Sequence, residues 1–368
     1  MLIAISPDKF KGTLSAAEAA EAIAAGVREA IPDVRLRLLP AADGGEGTAE
    51  IFGRAKGWSR QSIDATDPLG RPLSANYYAG NDAAVIDSSE VIGLQRISPA
   101  DRNPWLSSSY GFGDVVRRLL ESGFDKVYAG IGGTATVDAG IGFIQGLGAK
   151  IYCADGLLDR PFRACDLLSL IKIDYSPLSR FAGKIIGLSD VDVPLNDNDG
   201  YPSMLMFAPQ KGVDEDSLIV LKMGLDRLYE NVRWLPGFPP IEIPFGGSGG
   251  GLGFAIGAVC GGDVSFGAEE ILRLNSLFLP RPDLIITGEG RYDNQSLQGK
   301  VTSCISDECQ KSGIPCAILA GQVQPGLESG LVIAATPPGE DPDPAAAARY
   351  LRNAAADLIR TLGSEHTG

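Results

Sequence analysis

Six short stretches of this 368-residue chain gather glycines, hydroxyl side chains, carboxylates and a few cations where strands should end. They are "SPDKFKG" (6–12), "AADGGEGT" (41–48), "GGTATVDAG" (132–140), "SDVDVPL" (189–195), "TGEGRYDNQS" (287–296) and the glycine run 246–253. Ligands of open α/β sheets bind beyond the carboxyl ends of the strands, so loops at those ends carry the most weight. Their composition suits phosphate: backbone N–H groups hold an anion, glycine lets them approach, and cations neutralise it. The carboxylates Asp43, Glu46, Asp190, Asp192, Glu289 and Asp293 would repel a bare phosphate. A Mg²⁺ ion resolves that conflict, because it is usually held by one or two carboxylates together with substrate phosphates. One carboxylate could also take the proton of a hydroxyl nucleophile. The sole histidine, His366, stands near the end of the chain, which excludes a histidine-based triad or multi-histidine metal site in the core.

Each loop also has a plainer reading. A glycine turn can be structural, Asp190 and Asp192 can cap a turn, and residues 246–253 can be packing glycines ahead of an apolar helix. Walker A is absent, since "NQSLQGKVT" has Asn294 where the first glycine belongs and Val301 after the lysine. Gly130, Gly132 and Ala135 form G-x-G-x-x-A with Asp155 twenty residues on, which supports an NAD(P)-dependent oxidoreductase as a rival. Against it, "TATVD" places β-branched residues where the fingerprint helix should start, and Asp138 reads as a later N-cap.

The elements that must position these loops follow from periodicity. "LIAIS" reads as a strand and "SAAEAAEAIAAGVREAI" as a helix opened by the capping box Ser15–Glu18. "VRLRLLP" and "GEGTAEIFGRAKG" repeat the pair, the start of a parallel sheet. Residues 60–103 read as short antiparallel strands between turns. The α/β rhythm returns with "GFGDVVRRLLESG" and "DKVYAGI", and near the end with strands "DLIITGEG", "PCAILAGQV" and "GLVIAATP" and helices at about 301–312 and 345–362. The expected fold is α/β. A discontinuous Rossmann-like domain is built from residues 1–62 and 272–368, a mixed α/β domain of residues 63–271 is inserted into it, and 104–148 is assignable to either.

The net charge of −14 argues against nucleic acid and anionic membranes. "MLIAISPDKF" lacks a basic region followed by a long apolar stretch, so the cytoplasm is the expected compartment. The six cysteines form no C-x-x-C pair and read as reduced thiols.

Taken together, "SPDKFKGTLSA", "PAADGGEGT", "GIGGTATVDAGIGF", "SDVDVPL", "FAPQKG", "GGGLG", "PDLIITGEGRYDNQSLQGK" and "AILAGQV" resemble the type 1 glycerate kinase family. They run in the family's order from residue 5 to about 323. The resemblance implies two α/β domains with the active site in the cleft between them. It also implies phosphorylation of D-glycerate by ATP with Mg²⁺, to 2-phosphoglycerate rather than 3-phosphoglycerate. By resemblance, Asp8 and Lys11 match the first motif, Asp43, Gly44, Gly45 and Glu46 the second, and Gly132, Gly133, Thr134 and Asp138 the third. Asp190 and Asp192 match an Asp-Val-Asp motif, and Gly288, Glu289, Arg291, Asp293 and Lys300 the last. Lys11 and Arg291 are the expected cations for phosphate or substrate carboxylate. Asp190 is the first choice for base or metal ligand, ahead of Asp192, Asp43 and Asp293, with Asp190 and Asp293 the expected Mg²⁺ ligands. Lys9 reads as a surface charge, and Lys211 as either solvated or functional.

Val137 and Val193 stand where the family has asparagine, Phe112 where threonine is usual, and Ser88–Ser89 where Met-Ala is expected. Loss of two amides from substrate loops would alter selectivity, and it motivates a second rival, a degenerate kinase that binds a hydroxy acid without turning it over. The expected partners are ATP and a small hydroxy acid, without nucleic acid or membrane, and a homo-oligomer is left open.

Overall fold

The computed structural model describes residues 1–197, 202–232, 243–297, 300–327, 329 and 331–365. His366 lies outside them. The chain forms two compact units, residues 1–43 with 268–368, and residues 44–267. In chain order the elements begin with β1 (Leu2–Ile5), α1 (Ala16–Ala30), β2 (Arg35–Leu38), α2 (Thr48–Lys56), β3 (Ser59–Thr66), β4 (Pro72–Ala79) and β5 (Ala83–Asp87). Next come α3 (Ser88–Ile92), α4 (Tyr110–Glu121), β6 (Lys126–Gly130), α5 (Ile141–Leu147), β7 (Lys150–Cys153), β8 (Gly156–Leu157), β9 (Leu170–Asp174), β10 (Ile185–Ser189) and α6 (Glu215–Val232). The last are α7 (Leu252–Phe254), β11 (Asp263–Phe266), α8 (Gly267–Asn275), β12 (Leu284–Tyr292), α9 (Val301–Ser312), β13 (Cys316–Val323), β14 (Val332–Ala334) and α10 (Pro344–Glu365).

The unit made from both chain ends is a five-stranded parallel sheet in the order β14-β13-β12-β1-β2. Its inner strand β1 reads as a continuous apolar run because both faces of a parallel sheet are covered, whereas the edge strand β2 alternates as RLRL. Ile3 and Ile5 are fully buried and pack with Leu284, Ile286 and Leu319 against α1 and α10. Helix α1 turns Ala16, Ala19, Ala20, Ile23, Ala24 and Val27 inward at helical spacing, and its capping box is formed, with Ser15 and Glu18 satisfying each other's backbone N–H groups.

The second unit has a six-stranded sheet in the order β11-β10-β6-β5-β4-β3 and a small antiparallel sheet β8-β7-β9. Strands β11, β10, β6 and β5 are parallel, and β4 and β3 extend the sheet antiparallel. The sequence divides the units near residue 62, whereas they divide at 43/44. Helix α2 packs on β3, β4 and β5, so residues 44–62 belong with that sheet, as do 104–148.

Two local expectations are corrected. The loop read as starting at Thr287 starts later, because the strand read over "DLIITGEG" is present and continues through Tyr292 as β12. Glycine is needed there for close approach: a Cβ on Gly288 would lie 2.0 Å from the Leu319 carbonyl oxygen, and one on Gly290 3.1 Å from the Lys11 nitrogen. The dinucleotide fingerprint also fails, since residues 131–140 form a loop, α5 starts only at Ile141, and Asp155 sits in the β7–β8 turn. All six cysteines are free thiols. Among the described residues no helix is long and apolar enough to cross a membrane.

Candidate active site

In the first unit, the loop after β1 meets the ends of β2 and β12. The Asp8 N–H donates to the Gly288 carbonyl at 2.8 Å, and Ala41 N–H to the Pro7 carbonyl at 2.9 Å, which brings Asp43 beside the loop. Lys9 Nζ lies 3.3 Å from Asp43 Oδ1 with only 26% of its side chain exposed. Glu289, on β12, accepts the Thr302 hydroxyl at 2.5 Å and lies 3.8 Å from Lys300 Nζ. Burial raises the Asp8 carboxyl to about 7, with Asp43 adding to the rise and Lys9 opposing it. Glu289 is also raised by burial, against the Thr302 hydroxyl and Lys300.

Lys11 and Arg291 are exposed, and Arg291 Nε lies 3.5 Å from Asp293 Oδ2. The reading of Lys9 as a solvated surface charge is therefore corrected. Lys9 is half-buried and ion-paired, and it is Lys11 that points to solvent.

In the second unit, three motif loops converge on Asp190, just beyond β10. A Cβ added to Gly132 would lie 2.8 Å from Gly45 Cα and 2.9 Å from both Cγ and Oδ2 of Asp190. At Gly44, with φ of +109°, a Cβ would lie 2.5 Å from the Ser189 carbonyl carbon. Only glycine brings these backbones so close to a half-buried carboxylate.

The approach is held by polar contacts. Gly132 N–H donates to the Gly44 carbonyl at 3.3 Å, and Gly44 N–H to the Thr48 hydroxyl at 3.1 Å. Asp87, at the end of β5, accepts Gly47 N–H and Ala49 N–H, each at 2.9 Å, and so fixes the start of α2. Sequence reasoning missed Asp87, although its place at a strand's carboxyl end was the available signal. Glu46 is exposed beside this loop. Asp192 is exposed as well, and it accepts the Phe245 N–H at 3.1 Å, which ties down the glycine run.

Asp138 is fully buried, and its carboxylate accepts Ser109 N–H and hydroxyl at 2.8 Å and Gly140 and Gly142 N–H at 3.3 Å. It joins α4 to the start of α5. Its acceptor capacity is taken by the chain itself. Thr134 accepts a hydrogen bond from Lys211 Nζ at 3.1 Å, and that lysine is only 4% exposed. Lys211 is thus a buried group and not a solvated one. Gly133, with φ of +74°, holds the turn before Thr134.

Several departures from the family pattern fall in the core. Phe112 and Val137 are fully buried, and the Phe112 ring stacks on Phe143 with centroids 5.6 Å apart. Val193 is 8% exposed. Ser88 donates its hydroxyl to the Gly132 carbonyl at 3.2 Å, so this replacement supports the loop. Among the described residues no group of three or more His, Cys, Asp or Glu is placed to hold one metal ion.

A model of the glycerate kinase family matches residues 3–362. The chain belongs to the glycerate kinase family. As a glycerate kinase it is an ATP-dependent phosphotransferase, and the oxidoreductase reading falls. It is similar to "Glycerate 2-kinase" of Escherichia coli K12, at 35% identity over 88% of this chain and 86% of the relative. It is also similar to a "Glycerate kinase" of Halalkalibacterium halodurans, at 32% identity over 89% and 87%. A solved structure from Salmonella typhimurium LT2, provisionally named glycerate kinase 2, matches this chain with a TM-score of 0.81 and 31% identity over the whole of both chains.

Proposed function

We propose that the chain transfers the γ-phosphoryl group of ATP to the 2-hydroxyl of D-glycerate, giving 2-phosphoglycerate and ADP, with Mg²⁺ and in the cytoplasm. The observation that carries this reading is the convergence of Gly45, Gly132 and the Asp190 carboxylate beyond parallel strand ends. A carboxylate so placed orients a hydroxyl and takes its proton as the oxygen bonds to phosphorus and the bond to ADP breaks. The E. coli relative's name supports the 2-position.

Mg²⁺ fits the first unit. Burial, with the neighbouring Asp43 and Glu289 carboxylates adding to it, raises the Asp8 carboxyl to about 7 despite Lys9, and a divalent cation would offset the carboxylate repulsion. Asp8 and Asp43 would hold the ion together with substrate phosphates, and Asp190 is kept as base. When bound, Mg²⁺ supplies neutralisation of the phosphate charge. Lys9 and Lys300 add fixed positive charge, and the exposed Lys11 and Arg291 are cations for the phosphates.

Lys9→Ala removes the cation that holds the Asp8 titration down. The ionised form, present above about pH 7, is the one that binds a cation. The acid limb of the kcat/KM profile for ATP should therefore move to higher pH, with activity recovered on the alkaline side. A limb that stays in place contradicts the role given to Asp8.

The product position is tested by coupling the reaction to enolase without phosphoglycerate mutase. Direct formation of phosphoenolpyruvate is expected, because enolase accepts the 2-phosphate. A signal that needs added mutase assigns the 3-phosphate instead.

A further inference from the structure

We propose that Lys211 binds the carboxylate of the acceptor, and that the second unit therefore selects a short 2-hydroxy acid over the neutral polyol of the same shape. The inference rests on the glycerate reading above and names the group that reads the acid.

Lys211 is 4% exposed, yet among the described residues it has no ion-pair partner. Two of its three ammonium hydrogens meet neutral oxygens, Thr134 Oγ1 at 3.1 Å and the Thr136 carbonyl at 2.7 Å. The third has no acceptor among the described residues. Buried charges are normally paired, because an isolated ammonium in a protein interior carries a large desolvation cost. Asp138 acts on it through space but accepts none of its hydrogens, since four donors of its own chain occupy that carboxylate. Burial lowers the Lys211 ammonium to about 8, with Asp138 and Asp190 opposing the fall, so it remains charged at neutral pH.

A second observation points to a ligand at the same place. The Thr136 hydroxyl is buried and has no hydrogen-bond partner among the described residues. Its main-chain carbonyl already holds Lys211, so ammonium and orphan hydroxyl belong to one small region. Glycine keeps that region open. At Gly250, with φ of +70°, a Cβ would lie 2.1 Å from the Thr136 carbonyl oxygen and 3.1 Å from Lys211 Nζ.

The charge balance selects the anion. One ammonium stands in the field of two carboxylates, Asp138 and Asp190, which a polyphosphate would meet with strong repulsion. A monoanionic carboxylate pairs with the single ammonium, and a neighbouring ligand hydroxyl gives Thr136 its missing partner. A site built to pair with such a group rejects the analogue lacking it, because its own buried polar atoms are left unsatisfied.

The test compares kcat/KM for D-glycerate and for D-glyceramide, which keeps the diol and replaces the carboxylate by a neutral amide. In the native chain the acid should be preferred by about 100-fold or more. In Lys211→Met that preference should collapse to within about tenfold, with the KM for ATP within about threefold of native, while Lys211→Arg retains a preference for the acid. An unchanged preference in Lys211→Met, or a rise in the KM for ATP in its place, overturns the assignment. Should Lys211→Met fail to fold, the native preference decides, and turnover of the amide within about fivefold of the acid overturns the proposal. Turnover of neither acceptor by the native chain overturns the glycerate reading and this inference with it, an outcome distinct from indiscriminate turnover of both.

Discussion

Replacing Asp190 with asparagine is expected to lower kcat for D-glycerate by about 10²- to 10⁴-fold, the range over which a positioned general base contributes. Asparagine keeps the shape of the side chain and loses both its charge and its capacity to accept the hydroxyl proton. The side chain is half-buried on the loop after β10, against the backbones of Gly132 and Gly45. That packing should survive an isosteric change, so the loss belongs in kcat more than in either KM. The measurement is steady-state turnover at saturating ATP and acceptor. A kcat within about threefold of native would remove Asp190 from the chemistry and return the role of base to the other carboxylates.

Gly132→Ala should come close to that effect without touching a reactive group. Its Cβ would meet Gly45 Cα at 2.8 Å and the Asp190 carboxylate at 2.9 Å. The carboxylate could rotate aside, but Gly45 is backbone and yields only if the loop moves. Misplacement of a catalytic group by about 1 Å costs on the order of 10²-fold, and overpacking costs about 1–3 kcal/mol of stability. Both kcat and the melting temperature should fall. Gly363→Ala is the control, since its backbone needs no positive φ, a Cβ there meets nothing within 4 Å, and kcat should be retained. Native turnover in Gly132→Ala would show that the contact between these loops is not needed for reaction.

Much of this arrangement is legible in the sequence, because it follows from local rules. The apolar run of β1, the capping box of α1 and the alternation leading to α9 and α10 each depend on neighbours a few residues apart. The glycines at 44, 45 and 132 are also recognisable, since short glycine loops at strand ends have few other purposes. What stays hidden depends on distant partners. Lys9 and Lys11 are equivalent in sequence until Asp43, 34 residues from Lys9, pairs with one of them. In sequence "TGEG" reads both as the end of a strand and as the start of a loop, and only distant partners decide, since Gly288 and Gly290 continue β12 by making room for Leu319 and the Phe10–Lys11 loop.

The unit boundary is hidden for a related reason, because the β-α-β-α rhythm of the first sixty residues does not say which sheet α2 covers. Lys211 lies in the "FAPQKG" stretch, yet nothing local decides between a solvated and a buried lysine there. Its neighbours Thr134 and Thr136 lie more than seventy residues earlier, and only burial separates it from the lysines at the surface. Asp138 shows the converse, a motif aspartate whose carboxylate is filled by its own loop and by Ser109.

The central claim, phosphoryl transfer from ATP to glycerate, is tested most directly by ADP release from the purified chain with D-glycerate and Mg²⁺. Sustained ADP release that depends on D-glycerate and ceases when the metal is chelated is the predicted result. Retained ATP binding with no ADP formed from D-glycerate or any other short hydroxy acid would contradict it.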